Sequence, residues 1–198
     1  MPMTSQMRAA FLHHHNSLRS QVAMGHVRGY PPATRMATMS WSDELANLAA
    51  LNTYQCEIEH DQCRATLAFR TPGQNLCTRS GPYETLHGVI NRCINAWFEE
   101  KTIAKPSYVD YLVVEPHFKQ YGHFTQMVVD KAYKVGCAVV RSPSSYYGKR
   151  YFLACNYSAS QVIGRPLYVR GKTGKYCSTG RNAYYPGLCN PSESFPSN

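Results

Sequence analysis

Apolar residues recur with a helical period at the start of the chain. Met7, Phe11, Leu18 and Val22 lie at near-helical spacing and Gly25 follows, which predicts a helix over about Ser5–Met24. The stretch GHVRGYPPAT, rich in Gly and Pro, predicts an irregular loop after it. Ser42 is a favourable N-cap for a second helix, with Asp43 and Glu44 where the helix dipole favours anions. Leu45, Leu48, Ala49, Asn52, Cys56 and His60 share one face of that helix, so His60 is expected at the end of a core-facing stripe. A third helix is predicted from Tyr83 to about Lys101. Its apolar positions, Leu86, Val89, Ile90, Cys93, Ile94, Trp97 and Phe98, cover more than half of the circumference, so it should be buried on two sides. Glu100 follows one turn beyond Trp97 on the same face.

The pattern changes late in the chain. Gly136–Arg141 and Tyr151–Tyr157 are β-branched or aromatic runs separated by the turn-rich SPSSYYGK, which predicts a hairpin. Helices first and strands late indicate an α+β domain, layered αβα, over residues 1–164. Residues 165–198 form a tail rich in Gly, Tyr, Lys and Arg that carries its own cysteines, Cys177 and Cys189. No internal repeat is visible.

Composition narrows the class. The chain has 198 residues, 43% of them apolar and 12% aromatic, which suits a globular fold with a real core. The net charge of +9 comes from scattered residues with no long basic run, and there is no nucleic-acid motif. This charge implies solubility and weak attraction to anions. No stretch approaches the roughly 18 apolar residues that span a membrane. No secretory leader is visible, so the sequence reads as a mature form.

The eight cysteines are Cys56, Cys63, Cys77, Cys93, Cys137, Cys155, Cys177 and Cys189. An even count without close CxxC pairs indicates disulfides and an oxidising, extracellular compartment rather than zinc. Cys177 and Cys189 stand alone in the tail and are expected to pair. Cys56 and Cys63 would be about 10 Å apart on a continuous helix. They could then bond to each other only if the helix breaks near Asp61.

Several segments together resemble one known family. GHFTQMV (Gly122–Val128) resembles the Gly-His-aromatic-Thr-Gln signature of the CAP superfamily, which comprises cysteine-rich secretory, antigen 5 and pathogenesis-related-1 proteins. FLACNY (Phe152–Tyr157) resembles its second signature. HNSLR (His15–Arg19), SWSDELANLA (Ser40–Ala49), CEIEHDQCR (Cys56–Arg64) and GQNL (Gly73–Leu76) occur in the matching order. Together the matches cover roughly residues 10 to 165. HDQCR, GQN in place of GEN, and the tail CSTG…YPGLC look like the insect antigen 5 branch, many of whose members are salivary or venom components.

The resemblance implies a three-layer αβα sandwich and a cleft lined by His60, Gln74, Glu100 and His123. Gln74 stands where most of the superfamily has Glu. Val129 replaces a usual Trp, and Gln161-Val162 a usual Gly-Asn. The family pairs the positions of Cys137 and Cys155. Cys56, Cys63, Cys77 and Cys93 are left open, either bridged among themselves or free, since the cysteine-bearing N-terminal extension usual in that branch is not in this sequence.

Two imidazoles and a carboxylate suit Zn²⁺ or another divalent cation. Gln74 removes one negative charge, so binding should be weak and no cofactor is required. The same residues could instead form a hydrogen-bonded polar cluster. No nucleophile is evident, and Thr125 near His123 does not make a triad. Neighbouring side chains in His13-His14-His15 point about 100° apart on a helix and do not share an ion easily.

A second candidate is an apolar channel between the first and third helices, lined by Phe11, Leu18, Val22, Val89, Ile90 and Ile94. The resemblance supports this channel, because several relatives bind sterols or fatty acids. An integrin-type motif is not present, because Val27-Arg28-Gly29-Tyr30 and Val169-Arg170-Gly171-Lys172 lack the required Asp. The expected function is that of a secreted, monomeric, non-enzymatic binding protein of salivary type. It would sequester a fatty-acid-like or eicosanoid-like lipid, or engage a host extracellular protein. The alternatives are a divalent-metal hydrolase using His60, Glu100 and His123, and a ligand-free interaction module acting through loops.

Overall fold

The computed structural model describes residues 3–82, 84–144 and 148–195. Its elements are α1 (Ser5–Ala23), β1 (Ser40–Trp41), α2 (Asp43–Tyr54), β2 (Gly73–Ser80), α3 (Leu86–Glu99), α4 (Gly122–Met127), β3 (Lys134–Ser144) and β4 (Gly148–Tyr157). Short 3₁₀ turns cover Glu100–Thr102, Pro106–Val109 and Phe118–Gln120. The sheet order is β1-β3-β4-β2, with β1 parallel to β3 and the other pairs antiparallel. α2 covers one face of the sheet, and α1, α3 and α4 cover the other. This is the α+β, three-layer architecture that the element order predicted.

Strand alternation divides the side chains between the two layers. Val135, Cys137 and Val139 of β3, with Tyr151, Leu153, Cys155 and Tyr157 of β4, join the large core under α1 and α3. The opposite face is small: Leu76, Ala138 and Ala154 meet Ala49 of α2. That smallness lets the α2 backbone lie almost on the sheet. A Cβ on Gly136 would stand 2.2 Å from the Ala46 nitrogen and 2.4 Å from the Ser42 carbonyl oxygen.

The helix boundaries follow local chemistry. The hydroxyls of Thr4, Ser42 and Thr85 accept from the third backbone N–H beyond each, capping α1, α2 and α3. The predicted start of the third helix at Tyr83 lies outside the described residues, and Thr85 marks the observed start. The second helix is shorter than expected. Cys56 adopts φ +55° just after α2, which ends the helix at Tyr54. His60 and Cys56 therefore lie in a loop and are exposed, not on the core-facing stripe. The amide of Asn52 stays buried and donates to the Glu59 carbonyl at 2.9 Å, holding the departing chain.

GQNL forms the start of the edge strand β2, which the alternation rule does not pick out because its first four residues are all buried. The hairpin strands extend further than predicted, and the hairpin tip at 145–147 lies outside the described residues. Three disulfides are formed. Cys137–Cys155 links directly opposed residues of β3 and β4, Cys77–Cys93 ties β2 to α3, and Cys177–Cys189 closes the tail. Cys56 and Cys63 are exposed free thiols.

The tail packs on the loop that precedes β1. Cys189 donates its backbone N–H to the Met36 carbonyl, and Thr38 Oγ1 donates to the Cys189 carbonyl at 2.6 Å. The Glu193 carboxylate, shielded from solvent, accepts from the backbone and side chains of Ser178 and Thr179 and from Arg35. Burial alone would raise its pKa, but these donors outweigh burial and bring it down to about 2.

Replacing Gly136 by Ala should cost about 3 kcal/mol, because the new Cβ would meet the backbone of Ser42, Leu45 and Ala46, which cannot step aside. Urea denaturation of the variant measures it, and a loss below about 0.5 kcal/mol would contradict the close approach of α2.

Candidate functional site

The site begins at α4, a helix of only six residues with His123 in its first turn. A helix this short is not self-supporting. Glu100, in the 3₁₀ turn after α3, supplies the missing cap. Its Oε2 accepts from the backbone N–H groups of His123 at 2.9 Å and Phe124 at 3.1 Å, and its Oε1 accepts from His123 Nδ1 at 2.6 Å. One carboxylate thus caps the helix and orients the imidazole. Trp97 stacks on the same ring at 5.9 Å between centroids. Facing a carboxylate, Nδ1 carries the ring proton, so the Nε2 of neutral His123 keeps its lone pair.

His60 is oriented similarly by a different group. Its Nδ1 lies 2.8 Å from Gln74 Oε1, which can only accept, so here too Nδ1–H donates and Nε2 is left as an acceptor. Gln74 Nε2 donates to Asn156 Oδ1 at 3.0 Å and to both Asp61 carboxylate oxygens at 3.2 Å. Asp61 is also paired with Arg64. A glutamate at position 74 would face Asp61 as a like charge, so glutamine fits the neighbour this chain provides.

Both histidines line one cleft of about 390 Å³ at the β2 edge of the sheet. Gln74 also lines it. Its apolar walls are Ile58, Leu76 and Phe118, and Lys119 and Gln161 complete the rim. Glu100 does not line the cleft, since both of its oxygens are engaged behind His123. No group of three His, Cys, Asp or Glu side chains converges as a metal cage among the described residues. At the cleft the described residues therefore offer two imidazoles whose Nε2 atoms are not engaged by the bonds that orient the rings, with Glu100 holding one of them from behind.

The helix-lined channel differs more from expectation. Phe11, Val22, Val89, Ile90 and Ile94 are fully buried in the main core, and Leu18 packs against it. The space between α1 and α3 is filled by these side chains. A groove of about 340 Å³ lies at the helix starts, lined by Thr4, Gln6, Met7, Leu86, His87 and Ile90. The apolar faces that suggested a channel pack against each other.

Sequence reasoning missed the buried polar wiring beneath the cleft. His15 Nδ1 donates to the Phe11 carbonyl at 2.8 Å, and its Nε2 accepts from the Tyr157 hydroxyl at 2.9 Å. That hydroxyl accepts from Asn75 Nδ2, which also donates to the His123 carbonyl at 3.1 Å. Four residues thus connect α1 to the site through β4 and β2. The only signal in the sequence was the motif matches HNSLR, GQNL and CNY.

A mixed sheet between helix layers, laced by disulfides and carrying an imidazole-bearing cleft at one edge, is the domain type that the GHFTQ and CNY segments imply. The chain belongs to the cysteine-rich secretory protein family, whose model matches residues 12–157. It is 42% identical over 195 residues to venom allergen-1 of Aedes aegypti, covering 96% of this chain and 75% of that protein. It is 41% identical over 152 residues to antigen 5 like allergen Cul n 1 of Culicoides nubeculosus, covering 77% and 68%. A crystal structure of NaASP2 with Zn²⁺ superposes with a TM-score of 0.76 at 27% identity, covering 95% of this chain and 97% of that one. Family and disulfides are consistent with secretion.

His15 is neutral in the fold. Burial is the main cause, with the positive Arg19 nearby acting in the same direction, and its pKa falls from 6.5 to about 4. The unfolded chain binds this proton first, so stability is full above pH 6.5 and declines as pH falls toward 4, by about 3 kcal/mol for this group. In urea melts across that window, His15→Gln should flatten the decline; an unchanged slope would show that other groups carry it.

Proposed function

We propose that this chain is an extracellular binding protein, not an enzyme, that sequesters a small hydrophobic molecule with an anionic head. The binding site is the β2-edge cleft and not the interval between α1 and α3. The observation that carries this reading is the make-up of the cleft. Ile58, Leu76 and Phe118 offer apolar surface, while Lys119, His60 and His123 offer a charge and two polar groups. A fatty acid or an eicosanoid-like lipid has the complementary form. A salivary role, which the resemblance to the insect antigen 5 branch suggests, would suit such sequestration. Catalysis is not part of the proposal. Thr125, an aliphatic hydroxyl two residues after His123, is buried and donates to the Tyr121 and Gly122 carbonyls, so it is not aimed at the imidazole.

The ring orientations favour a second, compatible reading. Two imidazoles fixed as Nδ1–H tautomers present two Nε2 acceptors, a donor set that a divalent cation such as Zn²⁺ could use with water completing its shell. With no carboxylate among the direct donors, the affinity would be low.

A fluorescent fatty acid should bind the purified protein with one saturable site, weakened about tenfold by Phe118→Ala or Lys119→Glu and unchanged by Ile94→Val. Binding indifferent to both cleft variants would sink the proposal. Calorimetric titration with Zn²⁺ should give weak binding that His123→Ala abolishes and Gln74→Glu strengthens about tenfold. No gain on adding that carboxylate would overturn the account of why the site is weak.

A further inference from the structure

The loop after the second 3₁₀ turn and the segment after β4 form a two-stranded tip that the cleft does not explain. Leu167 donates its backbone N–H to the Val109 carbonyl, Leu112 donates to that of Arg165, and Gly164 donates back to that of Leu112, at 2.8–3.1 Å. Val109, Leu112 and Leu167 root this ribbon in the main core. Beyond the root, five apolar side chains face water: Tyr111, Val113, Val114, Val162 and Ile163, with Ile163 67% and Tyr111 62% exposed. Gly164, at φ +76°, would place a Cβ 3.4 Å from the Tyr111 hydroxyl, so the two arms touch at the tip. Exposed apolar residues scattered singly need no explanation, but five gathered on two bonded arms do.

The surrounding charges select the occupant. The acids of the ribbon are already neutralised, Asp110 by Arg170 at 3.2 Å and Glu115 by Lys105. Arg165, on the tip, and Lys119, on the same loop as Val113 and Val114, are exposed and form no ion pair among the described residues. An apolar point with two uncompensated cations beside it in the chain, on a protein of net charge +9, matches an anionic lipid surface. Val and Ile would enter the acyl boundary, Tyr111 would sit at the headgroup level, and the cations would meet lipid phosphates and carboxylates.

We propose that the ribbon tip formed by residues 111–114 and 162–165 docks the protein reversibly on anionic membranes. The tip borders the cleft, because Gln161, which lines the cleft, immediately precedes Val162. The docked protein would therefore hold the cleft mouth near the bilayer. The proposal stands on the exposed residues and their charges and does not require a cleft ligand.

The test is co-sedimentation of the full chain with phosphatidylcholine vesicles, with and without 30% phosphatidylserine, where about that fraction sets the surface charge. Binding is expected to the mixed vesicles only and to weaken steeply with salt. Ile163→Asp should reduce it about tenfold or more, the scale of one lost Ile burial, and Ile163→Leu should preserve it. Leu67→Asp, at a 95% exposed position elsewhere, should leave it unchanged. No binding to the mixed vesicles at low salt, or equal loss with Leu67→Asp and Ile163→Asp, would overturn the proposal. So would a concentration-dependent dimer in sedimentation equilibrium that Ile163→Asp dissolves, since a second copy would then be the occupant.

Discussion

A buried charge holds this structure together at its least self-sufficient point. Arg19 of α1 has no solvent exposure, and its guanidinium donates to the carbonyls of Met127, Val129, Ala37 and Asp130. Burial lowers its pKa to about 10, with the nearby Asp130 opposing, so it is still cationic at neutral pH. Met127 is the last residue of α4, so a positive charge closes the C-terminal end of that helix while Glu100 closes its N-terminal end. The six-residue helix is thus held between two opposite charges, each at the end where the helix dipole favours it. Four carbonyls satisfied by one cation also join α1 to the turn after α4 and to the loop that leads into β1. Without that cation the Met127 and Ala37 carbonyls would lose their donor, while those of Val129 and Asp130 would keep the backbone N–H groups of Ala132 and Ala37; a buried acceptor left without a donor is among the more costly defects a fold can carry.

This arrangement explains what could and could not be read in the sequence. The hairpin was legible because β-branched and aromatic runs flanked a turn, and the helix starts because Ser42, and Asp43 after it, have one favourable place in a helix. The helical stripe through Cys56 to His60 was not, since periodicity does not show that Cys56 takes a left-handed conformation. α1 was read by its apolar residues alone, yet His15, Asn16, Arg19 and Ser20 are all buried on it. A pattern rule classes such residues as solvent-facing. Their partners are backbone groups and side chains distant in the chain, such as the Met39 backbone for Asn16 and Tyr157 for His15, which no local rule supplies.

The same lesson applies to the candidate site. The four residues named for the cleft lie together, but their roles divide. His60 and His123 face the cavity, Gln74 lines it while fixing the His60 ring, and Glu100 stands behind His123. The residue types suggested two imidazoles and a carboxylate around one ion, whereas the hydrogen bonds engage that carboxylate in capping α4 and orienting one imidazole. The six residues named for a lipid channel illustrate the opposite case. Their apolar faces were correctly identified, but an apolar face cannot by itself distinguish a cavity wall from a packed core.

Glu193 and the Cys177–Cys189 bridge fasten the same tail by unlike chemistry. The bridge yields to reductant and is indifferent to acid. The carboxylate clamp, with its depressed pKa, yields only to strong acid and is indifferent to reductant. Reductant or acid alone therefore opens one closure and leaves the other, so the tail's internal shape is kept under either condition by a bond of the kind that condition does not touch.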